Sequence, residues 1–350
     1  MGKSELMPFG GRDDDSYDYG LEPGEAFEPE EDDEVFDLTQ PHVMTVLGPI
    51  DPGAVGFALH HEHVFCRTAP AVVPDPDLWL DDPDAARVEL ELFFAAGGRA
   101  VVDMSPADYG RDSAAMLQVA AHSPVHLIVV TGHHKDQFAR PYAGGDDVDA
   151  IVARNLRELR EGTDGTRVRA GLIKAGTSLD TITEVEDRVL RAAARSAVLS
   201  GAPISTHTER GTMALEQIEI MTGAGADPTR IILGHLDFRL TDLPYLREVC
   251  ATGAHVSFDQ WSKTKYAADE DRARVLLDLA EAGYLDQLLV SGDLARKSYQ
   301  LAYGGEPGFA YFCDRVPLTL MDAGFDAPSV RRLFIDNPAR ALTIHPPVPA

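Results

Sequence analysis

Six side chains of this 350-residue sequence have types and spacing that could gather metal-ligating and ionisable groups at one site. His61 and His63 stand two apart in Leu59-His60-His61-Glu62-His63-Val64-Phe65, at the end of an apolar run from Val55 that reads as a strand. Residues two apart on a strand share a face, so the two imidazoles project together while His60 and Glu62 project the other way. Neutral imidazole is a common ligand of divalent transition metals, and two on a rigid strand make the start of a site. Lys174 interrupts the apolar stretch Gly171-Leu172-Ile173-Lys174-Ala175-Gly176. His207 stands near the end of Pro203-Ile204-Ser205-Thr206-His207-Thr208, His235 closes Ile231-Ile232-Leu233-Gly234-His235, and Asp293 follows Leu288-Leu289-Val290-Ser291-Gly292. Singly these read as core histidines, a snorkelling lysine and a capping aspartate. At equivalent places on five strands they read as one site.

The elements that must position them alternate along the chain. Strand candidates are 57–65, 100–104, 125–132, 168–175, 203–208, 231–236, 255–258 and 287–292. Each is short, apolar and almost uncharged until its C-terminal end, as buried parallel strands are. Between them, 84–96, 113–121, 148–161, 184–199, 214–222, 243–251 and 271–282 carry apolar residues at helical spacing. Eight strands alternating with helices predict an α/β fold, a closed (β/α)8 TIM barrel over 39–350. An open doubly wound sheet would place a Gly-rich turn after its first strand, whereas Gly53-Ala54-Val55-Gly56 precedes it. In a barrel the C-terminal strand ends meet at one mouth, where His61, His63, Lys174, His207, His235 and Asp293 would line a single cavity.

The formal net charge is −26, and residues 1–37 hold fourteen acids against Lys3 and Arg12. So acidic a stretch, poor in apolar residues, predicts a disordered tail, bounded here as 1–38, that solubilises the chain or meets a basic partner. The acidic balance argues against nucleic acid and anionic membranes as partners. No run is long and apolar enough to span a bilayer, and the N-terminus lacks the regions of a signal peptide. Cys66, Cys250 and Cys313 form neither a disulfide framework nor a zinc-finger spacing, so the expectation is a cytoplasmic protein with reduced thiols.

Cationic residues follow the seventh and eighth strands, in Asp259-Gln260-Trp261-Ser262-Lys263-Thr264-Lys265-Tyr266 and Leu294-Ala295-Arg296-Lys297-Ser298-Tyr299. This is where barrels often grip phosphate, and a cationic spot in an acidic protein focuses anions. The lesser alternative is that Lys263, Lys265 and Lys297 are solvated loop residues. Gly132-His133-His134-Lys135, after the third strand, also faces the mouth, without an assignable role beyond substrate contact, and reads equally as a solvated loop.

In Thr45-Val46-Leu47-Gly48-Pro49, His61-Glu62-His63, Lys174, Thr206-His207-Thr208, Gly234-His235, Ser291-Gly292-Asp293 and Asn337-Pro338-Ala339-Arg340, in that order, the chain resembles the phosphotriesterase-like branch of the amidohydrolase superfamily over about residues 42–344. The resemblance implies two divalent metal ions, zinc first with manganese or cobalt as alternatives. His61, His63 and Asp293 would hold one and His207 and His235 the other. Lys174, carboxylated on its amine, would bridge both together with a hydroxide. A lysine in an apolar strand suits that role, because burial favours the free amine that attacks CO2. The resemblance makes Asp293 the proton acceptor and His235 the relay. It points further to the subgroup that opens phosphorylated sugar lactones, with Lys265, Arg296 and Tyr299 binding the phosphate, and it hints at a homodimer. The expected activity is opening of an aldono-1,4-lactone 5-phosphate. A lactonase for neutral acyl-homoserine lactones with side activity on phosphotriesters, and a metal-binding scaffold without turnover, are the rivals.

Overall fold

The computed structural model describes residues 36–67 and 74–347, so all but the last three residues of the acidic segment 1–38 lie outside the described part. Eight strands form one parallel sheet in chain order: β1 (Ala58–Glu62), β2 (Ala100–Asp103), β3 (His126–Gly132), β4 (Leu172–Thr177), β5 (Ile204–Thr208), β6 (Ile231–Leu233), β7 (His255–Phe258) and β8 (Leu288–Val290). Helices α1 (Pro83–Ala95), α2 (Ser113–Ala120), α3 (Asp136–Ala143), α4 (Val148–Arg160), α5 (Glu184–Ser200), α6 (Ala214–Gly223), α7 (Leu243–Ala251) and α8 (Asp269–Leu279) fill the connections. This is the expected (β/α)8 barrel. Its seam is closed where Asp293 N–H donates to the His61 carbonyl (3.0 Å) and the Ser291 hydroxyl donates to Glu62 Oε1 (2.7 Å). Glu62 also accepts from the N–H groups of Gly292 and Leu294. The glutamate of the H-E-H stretch is therefore a staple between first and last strands.

Alternate residues build two cores. Ala100 and Val102, Ile128 and Val130, and Leu172 form the interior cluster, closed from below by Val43 and Val55. Val101, Val129 and Ile173 face outward and pack with Leu90, Phe93, Met116 and Val189 of the helices. Lys174 shares a face with Leu172, so its amine enters the interior above an apolar floor. Helix starts are fixed by side chains: Asp82, Asp112 and Asp147 accept from first-turn N–H groups, and Thr183 with Glu186 forms a capping box.

Several boundaries differ from the expectation. The fourth strand begins at Leu172 rather than Val168, because the Val168 carbonyl accepts from Thr163 N and Oγ1 and closes a turn. The sixth ends at Leu233 and the eighth at Val290, shortly before His235 (φ 64°) and Asp293 (φ 48°) turn the chain through left-handed conformations. The first strand's simple alternation is also corrected. A bulge between Leu59 and Glu62 shifts its register against β2, and such a bulge re-aims side chains. His60 touches Ser257 while its neighbour His61 approaches Asp259, two residues further along. Consecutive histidines thus meet one face of the β7 segment. Helix α3 and the helices between Tyr311 and Leu342 are additions that the sequence pattern had not delimited.

Candidate metal centre

Atoms that can ligate a cation converge at the mouth. His63 Nε2 lies 3.4 Å and His61 Nε2 4.0 Å from Asp293 Oδ1, and Lys174 Nζ lies 3.3 Å from His61 Nε2. The ring nitrogens turned away from this point have holders of their own. His63 Nδ1 meets Ser105 Oγ at 2.8 Å, with Ser105 N–H donating to Asp103. His235 Nδ1 meets Asp259 Oδ1 at 2.7 Å, and His207 Nε2 meets Glu209 Oε2 at 3.0 Å. His61 Nδ1 lies 3.4 Å from Asp259 Oδ2, a charge contact outside hydrogen-bond geometry. One nitrogen fixed by a carboxylate or hydroxyl with the other left over is how metal-binding imidazoles are oriented.

The backbone is spent on the same purpose. His235 and Asp293 both sit at positive φ, which costs a non-glycine residue about 1–3 kcal/mol and persists only where the surroundings enforce it. Gly234 has a different reason. A Cβ there would stand 2.6 Å from the Thr206 carbonyl oxygen and 3.1 Å from His61 Cε1, so only glycine lets the His61 ring lie against β6.

Electrostatics prepare His61 and His207 as neutral donors, whereas, against the effect of burial, Asp293 raises His63 to about 9 and Asp259 raises His235. Burial, then the Lys174 ammonium, push the His61 imidazole well below its usual range, and burial takes His207 down to about 3. Both rings are neutral at pH 7, as ligands must be. Burial lowers Lys174 to about 8 against the opposing carboxylates, Asp293 foremost. Asp293 stays ionised because Lys263 and the neighbouring imidazoles outweigh the cost of its burial. Two groups, His61–His63–Asp293 and His61–His235–Asp259, each bring their ligand atoms within 4.8 Å of one another. The first could hold a cation with mixed nitrogen and oxygen ligands, and the donor set fits zinc, manganese or cobalt. The second holds a carboxylate already engaged by Ser257 and the His235 N–H.

The sequence profile of the Phosphotriesterase family matches residues 41–342. The chain belongs to the phosphotriesterase family. It is 32% identical over 319 residues to a phospho-furanose lactonase of Mycoplasmopsis synoviae, covering 85% of this chain and 90% of that protein. The crystal structure of the lactonase Lmo2620 from Listeria monocytogenes superposes with a TM-score of 0.83 at 34% identity, covering 87% of this chain and 99% of that one. The Escherichia coli phosphotriesterase homology protein, solved with phosphate in its active site, gives 0.79 at 32% identity, covering 84% and 100%.

Within this member of the phosphotriesterase family, the residues expected to grip phosphate separate into two sets. Lys265 Nζ donates to the Tyr299 hydroxyl at 2.7 Å. Lys263 and Lys265 Nζ each lie 5.4 Å from the centroid of the Tyr299 ring. Arg296, by contrast, is committed to Asp75 at 2.7 Å and Asp77 at 3.2 Å, in the loop that follows β1. Lys263 is no solvated loop residue: it is 6% exposed and donates to Asp293 Oδ2 at 3.2 Å and to the Asp293 carbonyl at 2.7 Å. His134 is buried between Tyr109, Phe138 and His207. Lys135 pairs with Glu209, and His133 meets Asp108 at 3.2 Å, so this triplet is a structured wall of the mouth. The sequence reading gave no role to Asp259, Glu209 or Ser257. Asp259 alone carried a signal, since it ends its strand as the other polar residues end theirs.

Proposed function

We propose that the protein hydrolyses the ring ester of a phosphorylated furanose lactone at this centre. The observation that carries the reading is the pairing of the His61–His63–Asp293 group with the Lys263–Tyr299–Lys265 cluster beside it. His61, His63 and Asp293 would hold one divalent ion and His207 and His235 a second, with Lys174 carboxylated between them and zinc as the first candidate. When bound, the ions polarise the lactone carbonyl and lower the pKa of water. The chain's own residues do the rest. Asp293 accepts the proton that water loses as it adds to the carbonyl carbon, and Lys263 and Gln260 hold that carboxylate in place. The ring C–O bond then breaks, the proton passes to the departing ring oxygen, and the product is a hydroxy acid that ionises. His235, fixed through Nδ1, is the next group outward. Lys265 and Tyr299 bind the phosphate, in keeping with the phosphate found in the Escherichia coli relative.

No helix among the described residues is long and apolar enough to cross a membrane. Cytoplasmic residence, a small-molecule substrate rather than nucleic acid or lipid, and a homodimer complete the proposal. One observation favours the neutral-lactone reading instead: Arg296 already carries two carboxylates. Rates of the zinc-loaded protein on a pentono-1,4-lactone 5-phosphate and on its unphosphorylated form decide between them. The proposal expects a preference for the phosphorylated lactone, and Lys265→Ala to raise its KM about 10- to 100-fold, the worth of one charge-assisted hydrogen bond. Equal kcat/KM on both lactones, unchanged in Lys265→Ala, overturns the phosphate assignment.

A further inference from the structure

Beneath the centre, a buried line of hydrogen bonds runs from His235 into the barrel and ends on a histidine with no part in the chemistry above. His235 Nδ1 lies 2.7 Å from Asp259 Oδ1, and the His235 N–H donates to both Asp259 oxygens at 3.1 Å. The Ser257 hydroxyl donates to Asp259 Oδ2 at 2.7 Å. Its single proton is then used, so Ser257 Oγ accepts from its other neighbour, and His60 Nε2, 2.8 Å away, carries a proton and donates. His60, Ser257 and Asp259 are each 0% exposed.

His60 reaches this line from the irregular stretch of β1, where the register against β2 shifts between Leu59 and Glu62. The position is a poor choice for packing alone. A buried imidazole there needs polar neighbours, Ser257 at Nε2 and the Val290 backbone, a demand that a leucine of similar volume would avoid. What the imidazole adds is a donor to Ser257, and through it a second fixed bond on the carboxylate that orients His235.

We propose that His60 is a positioning residue: through Ser257 it holds Asp259 in the orientation that fixes the tautomer and tilt of His235, and so sets the affinity of the centre for the ion that His235 holds. The inference rests on the metal-centre reading of His235 and not on the identity of the substrate.

The test is zinc titration of the metal-free full-length protein against a chromophoric chelator, with Tm and lactone kinetics in parallel. Ser257→Ala and His60→Leu are each expected to weaken one of two zinc sites about 10- to 100-fold, as loss of a residue behind a metal-bound imidazole does. The double variant should be no weaker than either single one, because the two act as a unit. His60→Gln, whose amide still donates, should recover to within about threefold of wild type, a rescue that cavity filling does not produce. kcat should fall in step with KM held within twofold. Ser257→Ala removes a single oxygen and keeps the test open where His60→Leu does not fold. Wild-type zinc affinity in folded Ser257→Ala and His60→Leu overturns the proposal, as do losses that multiply in the double variant. A wild-type protein that binds no zinc overturns both this proposal and the metal reading. One that binds two zinc ions but opens no lactone overturns the lactonase reading alone.

Discussion

At the residue scale, the second atoms of His63, His207, His235 and Asp293 are held by hydrogen bonds, while His61 Nδ1 has only its charge contact with Asp259. Asp293 is the clearest case. Oδ1 faces His63, Oδ2 takes Lys263 and Gln260, and its backbone sits at positive φ. Asp293→Asn keeps the shape and tolerates the left-handed backbone but loses the anion. It should lower kcat/KM on the lactone at least about 1000-fold, the loss of roughly 4 kcal/mol of transition-state stabilisation, while far-UV circular dichroism stays native. A loss below tenfold would mean that the carboxylate is not in the reaction. The six residues singled out in the sequence were legible because each is a polar residue within or just after an otherwise apolar strand, which is a statement about backbone position. Their holders were not legible. Ser105 and Glu209 are common residues whose role depends on which ring nitrogen they meet, and Ser257 acts on His235 only through Asp259. Lys263 and Lys265 differ by two positions, and only the packed loop shows that Lys263 turns inward to Asp293 and Lys265 outward to Tyr299.

At the scale of elements, the loops after β1 and β8 are laced together by charge. Arg296 joins Asp75 and Asp77, Lys297 joins Asp81, and the Tyr303 hydroxyl meets Asp82 N–H. A phosphate that uses Arg296 has to compete with carboxylates. Asp75→Asn, which takes away one of them without touching Ser298, should therefore lower KM for the phosphorylated lactone about threefold, within the range of a partly exposed ion pair, and leave the unphosphorylated lactone unaffected. An unchanged KM for both substrates would remove Arg296 from the phosphate site. The eight strands and the helices from α1 to α8, α3 excepted, were readable, since alternating apolar runs admit few other folds. Strand ends were misread where a polar residue takes a left-handed turn, as at His235, because such a turn leaves no trace in hydrophobicity. The bulge in β1 escaped for the same reason.

At the scale of the molecule, the barrel is held by buried polar staples as well as by its two apolar cores. Arg111, whose side chain is 2% exposed, bonds Glu158 of α4, Asp164 and the Val130 carbonyl of β3. Burial would raise the Asp164 pKa, but the Arg111 guanidinium outweighs it and holds the carboxyl below its ordinary value. A depressed carboxylate stabilises the fold above its unfolded pKa of about 3.9 and loses that contribution as pH falls through the folded value. Asp164→Asn should thus cost about 1–2 kcal/mol at pH 7, allowing for partial solvent screening, and the gap to wild type should close below about pH 4, as read by urea denaturation. A gap that persisted at low pH would mean that packing, not charge, is lost. The family match starts at residue 41 and every group in the centre lies beyond it. Removal of residues 1–35, with thirteen acids and two bases, should leave kcat/KM on an uncharged lactone within about twofold. A larger loss would give the acidic segment a part in turnover.

The account stands on cations held among His61, His63, Lys174, His207, His235 and Asp293, and anomalous diffraction at the zinc edge from zinc-loaded crystals tests this most directly. It predicts a peak about 2.0–2.2 Å from the Nε2 atoms of His61 and His63 and from Asp293, and a second peak on His207 and His235. Zinc found only on surface carboxylates, with no peak at the paired imidazoles, would contradict it.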